Sequence, residues 1–238
     1  QIFIEKPISS SLNKLKKNIK ILKKYKKHIY VGYPFRFSKA AKKVKQIIKN
    51  KKLGTIVDVE VVCGSYLPRW RKGKSYKKSV SSHKKLGGGA LLELSHEIDY
   101  ILWIFGYPKK VVSYYGKNNL LNIKSEEFLR ALLIYENFSI SIKLSFNQRH
   151  LEERYCKIIG SNNNMVWDVI NKNIKIYKNN KKTKFISFKK EDNNILSQEA
   201  EYVLKKFNKK SKFDNKTVIE DSLKIMTLVQ NIQTNKLY

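Results

Sequence analysis

Glu93, His96 and Glu97 crowd into one short stretch, directly behind three consecutive glycines, Gly87 to Gly89. At about 100° per residue, Glu93, His96, Glu97 and Tyr100 share one sector of a helix, and Leu91, Leu94, Ile98, Ile101, Leu102 and Phe105 share the other. The spacing predicts a helix with a core face and a polar face. Asp99 lies on the other flank of His96, so the imidazole has an acid on each side, an arrangement that sets pKa and tautomer. Such a histidine can move a proton near neutral pH. An ordinary solvated helix face or a structural histidine has the same pattern, and spacing alone does not separate the readings. Lys6 closes the apolar run Ile2-Phe3-Ile4 just before Pro7, and Trp70-Arg71 end the loop Tyr66-Leu67-Pro68-Arg69-Trp70-Arg71. Tryptophan beside arginine can sandwich a planar ligand or pair with phosphate; a tryptophan packed on its own domain is the alternative. The glycines leave backbone N–H groups unobstructed and give room for a ligand.

The elements that must hold these residues follow from periodicity. Pro7 ends the first strand and leaves Lys6 at its C-terminal end, where ligands bind in open α/β sheets. Ser9 to Ser11 offer caps for a helix carrying Leu12, Leu15, Ile19 and Leu22, and a strand follows over Ile29 to Gly32. This is one βαβ unit. A helix from about Ser38 to Lys51 closes at Gly54. From Thr55 the texture becomes β-rich: Thr55 to Ser65, then, after the glycine-led helix, Lys110 to Lys117, Glu126 to Tyr135, Ser139 to Gln148, Arg154 to Gly160, Met165 to Val169, Ile174 to Tyr177 and Lys184 to Phe188. Asn171 to Lys184 reads as a hairpin with a polar turn, and helices over Leu196 to Lys209 and Lys216 to Gln233 close the chain. The fold class expected is α/β plus α+β: a short parallel unit, then a large, open, mostly antiparallel sheet with helices on one face.

Composition narrows the classes. The 238 residues carry 50 Lys+Arg against 19 Asp+Glu, a net charge of +31, which favours a polyanionic partner. Nearly all of that charge is lysine scattered from Lys6 to Lys236, so nucleic acid is not the expected partner, and a basic nucleic-acid-binding protein stays as an alternative. Cys63 and Cys156 lack metal-ligand spacing and read as buried thiols, with no metal site. No apolar run is long enough for a membrane span and no secretory signal is recognisable, so a cytoplasmic protein without membrane attachment is expected.

Glu5-Lys6-Pro7 closing a strand, Gly32-Tyr33 through Arg36-Phe37, the Trp70-Arg71 loop, and Gly87-Gly88-Gly89 through Glu93, His96 and Asp99, in that order, resemble the glucose-fructose oxidoreductase/inositol dehydrogenase (Gfo/Idh/MocA) family over practically the whole chain. The resemblance implies hydride transfer between a sugar carbon and NAD or NADP. It implies that Lys6 polarises the hydroxyl, that His96 is the general acid/base and that Glu93 stands for the family's aspartate. It further implies Glu5, Lys6, Pro7, Trp70 and Arg71 beside the cofactor, and Arg36, Tyr66, Asp99 and Arg149 in the substrate pocket. The Trp70-Arg71 loop and the stretch Leu94 to Tyr100 look most like members acting on sugars or nucleotide-linked sugars of surface-polysaccharide pathways. Residues 1–37, with 215–238 packing back on them, would be the C-terminal remnant of a Rossmann dinucleotide-binding domain, and 38–214 a substrate-binding and oligomerisation domain forming a homo-oligomer through its open sheet. Two departures stand out. Glu93-Leu94-Ser95-His96 has one residue fewer than the family's Asp-x-x-x-His, and neither GxGxxG nor GxxxxGK[ST] occurs. About a hundred residues, a domain's worth, would be needed for the glycine-rich half. The expectation is a chain that binds dinucleotide weakly or not at all and is impaired or inactive alone; a non-catalytic oligomerisation module is the other alternative.

Overall fold

The computed structural model describes residues 1–25, 28–179, 181–208 and 215–237. Strand β1 (Ile2–Glu5), helix α1 (Leu12–Lys24) and strand β2 (Ile29–Gly32) form the βαβ unit, with β1 and β2 parallel and Glu5 opposite Gly32. Helix α1 starts where Ser11 Oγ accepts from the Lys14 N–H at 3.3 Å, and it buries Leu12 and Leu15 while its lysines face water. Helix α2 (Lys39–Lys49) is capped from two directions. Ser38 Oγ accepts from the Ala41 N–H at 3.0 Å, and the distant Asp192 carboxylate accepts from Lys39 N at 2.7 Å and Ala40 N at 3.2 Å.

Strand β3 (Ile56–Gly64) leads through a connection of short 3-10 turns to helices α3 (Ala90–Glu93) and α4 (His96–Phe105). Strands β4 (Lys110–Gly116), β5 (Phe128–Ile134), β6 (Ser139–Ser145), β7 (Glu153–Gly160), β8 (Asn163–Asp168), β9 (Asn173–Lys178) and β10 (Lys181–Ser187) follow. They join β3 in an eight-stranded sheet of order β10-β9-β8-β7-β3-β6-β5-β4, antiparallel everywhere except between β3 and β6. Period-two alternation makes one face core: Leu129, Ala131 and Leu133 of β5 are buried, while Leu132 and the neighbouring Tyr114 of β4 are exposed on the other face. The hairpin expected at Asn171 to Lys184 is the antiparallel pair β9–β10; Asn180 at its turn lies outside the described residues. Helix α5 (Ile195–Asn208) follows, and Lys209, expected at its end, is likewise outside them. Helix α6 (Asn215–Thr234) packs on α1 and β2 and also on α4 and β4, and a continuous core runs from Leu12 to Ile232. Tyr238 is not described.

The helix expected from Ala90 to Phe105 is broken. Leu94 and Ser95 form a turn between α3 and α4, so a single helical wheel does not apply across it. The polar sector drawn from that wheel is corrected accordingly: Glu97 and Tyr100 are fully buried, whereas Leu102 and Phe105, assigned to the core face, are only partly so.

Candidate functional site

The break between α3 and α4 makes the site. Where the ladder is interrupted, the Glu97 N–H bonds Leu94 O at 3.2 Å and leaves the Glu93 carbonyl to another donor. That donor is Lys6. Its Nζ, delivered by the C-terminal end of β1, lies 2.5 Å from Glu93 O and 3.5 Å from Leu92 O. Burial lowers the Lys6 pKa from its ordinary value, and the nearby Glu93, Glu97 and Glu5 carboxylates oppose that shift.

His96 opens α4, half-buried, with the edge of the Phe35 ring against it at 5.8 Å between centroids. Burial, together with the Lys6 and Arg154 cations, holds its pKa well below the usual 6.5, so the imidazole is neutral at pH 7. Arg154 comes from the start of β7. Its guanidinium lies over the Phe35 face at 4.5 Å and its Nε bonds the fully buried Glu97 carboxylate at 2.7 Å. Arg154, Phe35 and His96 are thus in contact one after the other, cation over ring and then ring against ring edge-on, with the ion pair pinning the first turn of α4 to the sheet. Glu93 Oε1 accepts from Ser81 Oγ at 3.0 Å. Trp70 donates its indole N–H to Ser65 Oγ at 2.9 Å and packs edge-on against Phe146.

Lys6, Trp70, Glu93, His96, Arg154 and the thiol of Cys63 line one cavity of about 500 Å³. Cys63 and Cys156 are both buried free thiols, and burial raises the pKa of each, Cys156 to about 12.

The remaining residues named from the sequence lie elsewhere. Glu5 is exposed at the strand end, and Pro7 lines a smaller cavity of about 170 Å³ that shares Lys6 and Glu93. Arg71 is exposed in the cavity next to Trp70. Tyr66 and Arg149 meet each other, Arg149 Nη2 donating to the phenol oxygen at 2.8 Å, but neither lines the Lys6 cavity. Arg36 and Asp99 also find each other: Arg36 bonds Asp99 at 2.7 Å and Asp221 at 2.7 Å, and Asp99 is 1% exposed. The Asp99 carboxylate is therefore held by Arg36 rather than flanking the imidazole.

The triple glycine is corrected as well. A Cβ on Gly88 would stand 2.1 Å from Val80 O, and one on Gly89 would stand 2.1 Å from the Glu126 carboxylate. Gly88 N bonds His83 O and Gly89 N bonds Ser81 O. These glycines let the chain pack against itself; the space they leave is filled by protein, not kept for a ligand.

Arg154 was not among the expected site residues. Its signal is positional: it shares the inward face of β7 with the fully buried Cys156 and Ile158, and an arginine at a core-facing strand position requires a buried acid.

Residues 41–166 match the GFO/IDH/MocA C-terminal domain. YteT of Bacillus subtilis (strain 168), which bears an oxidoreductase name, is 23% identical over 132 residues, 52% of this chain and 29% of that protein. Among solved structures, an inositol dehydrogenase homolog of Azotobacter vinelandii complexed with NADH and myo-inositol superposes with a TM-score of 0.76 at 12% identity, covering 99% of this chain and 69% of that one. The WlbA dehydrogenase of Bordetella pertussis, complexed with NADH and UDP-GlcNAcA, gives a TM-score of 0.72 at 19% identity, covering 99% of this chain and 70% of that one. The structural likenesses speak for the fold, and the matched stretch from α2 to β8 carries the His96 turn and most of the large sheet; on that match this chain belongs to the GFO/IDH/MocA family.

Proposed function

We propose that this chain is the sugar-facing part of an NAD(P)-dependent oxidoreductase acting on a hydroxyl of a sugar or nucleotide-linked sugar. The observation that carries the reading is the meeting of the Lys6 ammonium, the neutral His96 imidazole and the Trp70 ring in one cavity. NADH bound with myo-inositol in one structure of the same fold and with UDP-GlcNAcA in another supports it.

Oxidising a secondary alcohol removes a hydride from carbon and a proton from oxygen. A nicotinamide dinucleotide, when bound, supplies the hydride acceptor. His96, neutral at pH 7, accepts the proton, and Lys6 steadies the negative charge growing on the oxygen. An ammonium has three N–H donors; with Glu93 O and Leu92 O taking up to two, one remains for the substrate oxygen. Arg154 and Phe35 position His96, and Ser81 holds the Glu93 carboxylate on the cavity wall. The cavity suits the nicotinamide and sugar ends, since its lining combines an aromatic ring with hydrogen-bonding groups. The pyrophosphate finds no glycine-rich cradle in the 238 residues, where GxGxxG does not occur.

Two measurements test this. Calorimetric titration of NADH into the chain alone is expected to give a dissociation constant weaker than micromolar; micromolar binding would overturn the view that the cradle is lacking. With a polypeptide carrying the glycine-rich half added, NAD(P)H-linked turnover of sugar substrates is expected, and Lys6→Ala or His96→Ala is expected to lower kcat by about 10²- to 10⁴-fold. Activity retained in both variants refutes the assignment. Assembly through the open sheet is part of the same proposal, supported by Tyr114 and Leu132 on its uncovered face; a strict monomer at high concentration in sedimentation counts against it.

A further inference from the structure

Beside the Lys6 cavity lies a second, of about 280 Å³, and Trp70 lines both. Ser81, in the wall of the second, donates to Glu93 Oε1 in the wall of the first at 3.0 Å, so the two share a partition. The second cavity is lined by Arg71, Lys74 and Lys78 and by no carboxylate. Among the described residues none of these three enters an ion pair. Lysine is abundant in this chain, yet the cations of the neighbouring site are answered: Arg154 by Glu97, and Lys6 by two carbonyls with Glu93 close by. Three unanswered cations around a concavity raise its positive potential and concentrate anions there. Arg71 offers the planar fork that matches phosphate, the lysines supply point charge, and the rings of Trp70 and Tyr76 give flat surfaces. The wall is built rather than loose: Tyr76 OH donates to Leu121 O at 3.1 Å, and Ser79 Oγ and Ser82 Oγ both donate to Tyr76 O.

We propose that this second cavity is a subsite for a phosphate or diphosphate arm of the substrate, so that the Lys6–His96 site takes a sugar phosphate or sugar nucleotide rather than a neutral sugar. The inference rests on the reading of the Lys6 cavity as the sugar site, but anion binding itself needs neither dinucleotide nor turnover.

Calorimetry on the full chain tests it, with UDP, glucose 1-phosphate and glucose as probes at roughly 50 and 300 mM salt. Both phosphates are expected to bind more tightly than glucose and to weaken with salt. UDP tighter than glucose 1-phosphate would place a base on the Trp70 and Tyr76 rings; equal affinities would locate the contact at phosphate alone. The triple variant Arg71→Gln/Lys74→Gln/Lys78→Gln is expected to lose about tenfold or more in phosphate affinity. Lys16→Gln/Lys17→Gln/Lys20→Gln on α1 removes the same charge at residues that do not line the cavity and is expected to stay within about twofold. No preference for phosphates over glucose, or an equal loss in the α1 variant, overturns the subsite. Phosphate binding lost only in the Arg71 triple variant, alongside full turnover in His96→Ala, would remove the catalytic reading and leave the anion site standing.

Discussion

Arg154 is the residue whose replacement should report most about the site. Removing it strands the Glu97 carboxylate, which is fully buried, and Arg154→Met is expected to cost about 3–5 kcal/mol in chemical denaturation. Arg154→Met/Glu97→Gln should cost less than the two single changes summed. The same variant removes one of the two cations that, with burial, hold His96 below 6.5, so the His96 pKa rises. In the proposed reaction His96 works as the neutral base, so activity would fall as pH drops through that pKa. The acid limb of kcat/KM is therefore expected to move to higher pH, which a purely structural arginine would not cause. The sign for stability is consistent: unfolded His96 takes up a proton near 6.5 and folded His96 only at lower pH, so the native chain loses stability as pH falls below about 6.5. Lys6, His96 and Trp70, which the sequence singles out by residue type, line one cavity, although the start of α4 at His96 is visible only in the fold. Arg154 with Glu97, and Arg36 with Asp99, are not legible as pairs in the sequence. Their partners lie 57 and 63 residues away, and only the tertiary fold decides which charge meets which.

At the scale of elements, alternation and caps gave reliable boundaries: the strand expected over Thr55 to Ser65 is β3, Ile56–Gly64. What alternation could not give is pairing, since the parallel contact of β3 with β6 depends on how distant strands sort within the sheet. The α3–α4 helix misled for a different reason. A wheel assumes an unbroken ladder, and nothing in Leu94-Ser95 signals a break as proline would. The glycines before it suggest open space by residue type and are instead sites of close packing. Gly89, at φ +116°, faces the Glu126 carboxylate, whereas Gly73, at φ +72°, has open space around it. Gly89→Ala is expected to destabilise by about 3 kcal/mol or more and Gly73→Ala by only about 1 kcal/mol, as thermal melts would show. Equal effects would mean that backbone strain alone, not packing, requires glycine at residue 89.

For the molecule as a whole, the parallel β1–β2 unit and the eight-stranded sheet are tied by α6 and by Arg36, which follows β2 and reaches Asp99 on α4 and Asp221 on α6. Burial raises the Asp99 pKa and Arg36 counteracts it. Without Arg36 that acid is buried and alone, and Arg36→Ala is expected to lower Tm by on the order of 10 °C with KM for sugar unchanged. A raised KM at unchanged Tm would instead make Arg36 a substrate contact. Residues 65–89, between β3 and α3, form a connection of a length that is often mobile in other proteins. Here His83, Ser79, Ser82, Gly88 and Gly89 stitch it to itself, and Tyr76 and Ser81 stitch it to Leu121 and Glu93. Its conformational entropy has therefore been given up during folding, not at the moment of recognition. A phosphate at the proposed subsite would meet a backbone wall already in place, and the ordering still to be done on binding would fall to the exposed side chains of Arg71, Lys74 and Lys78.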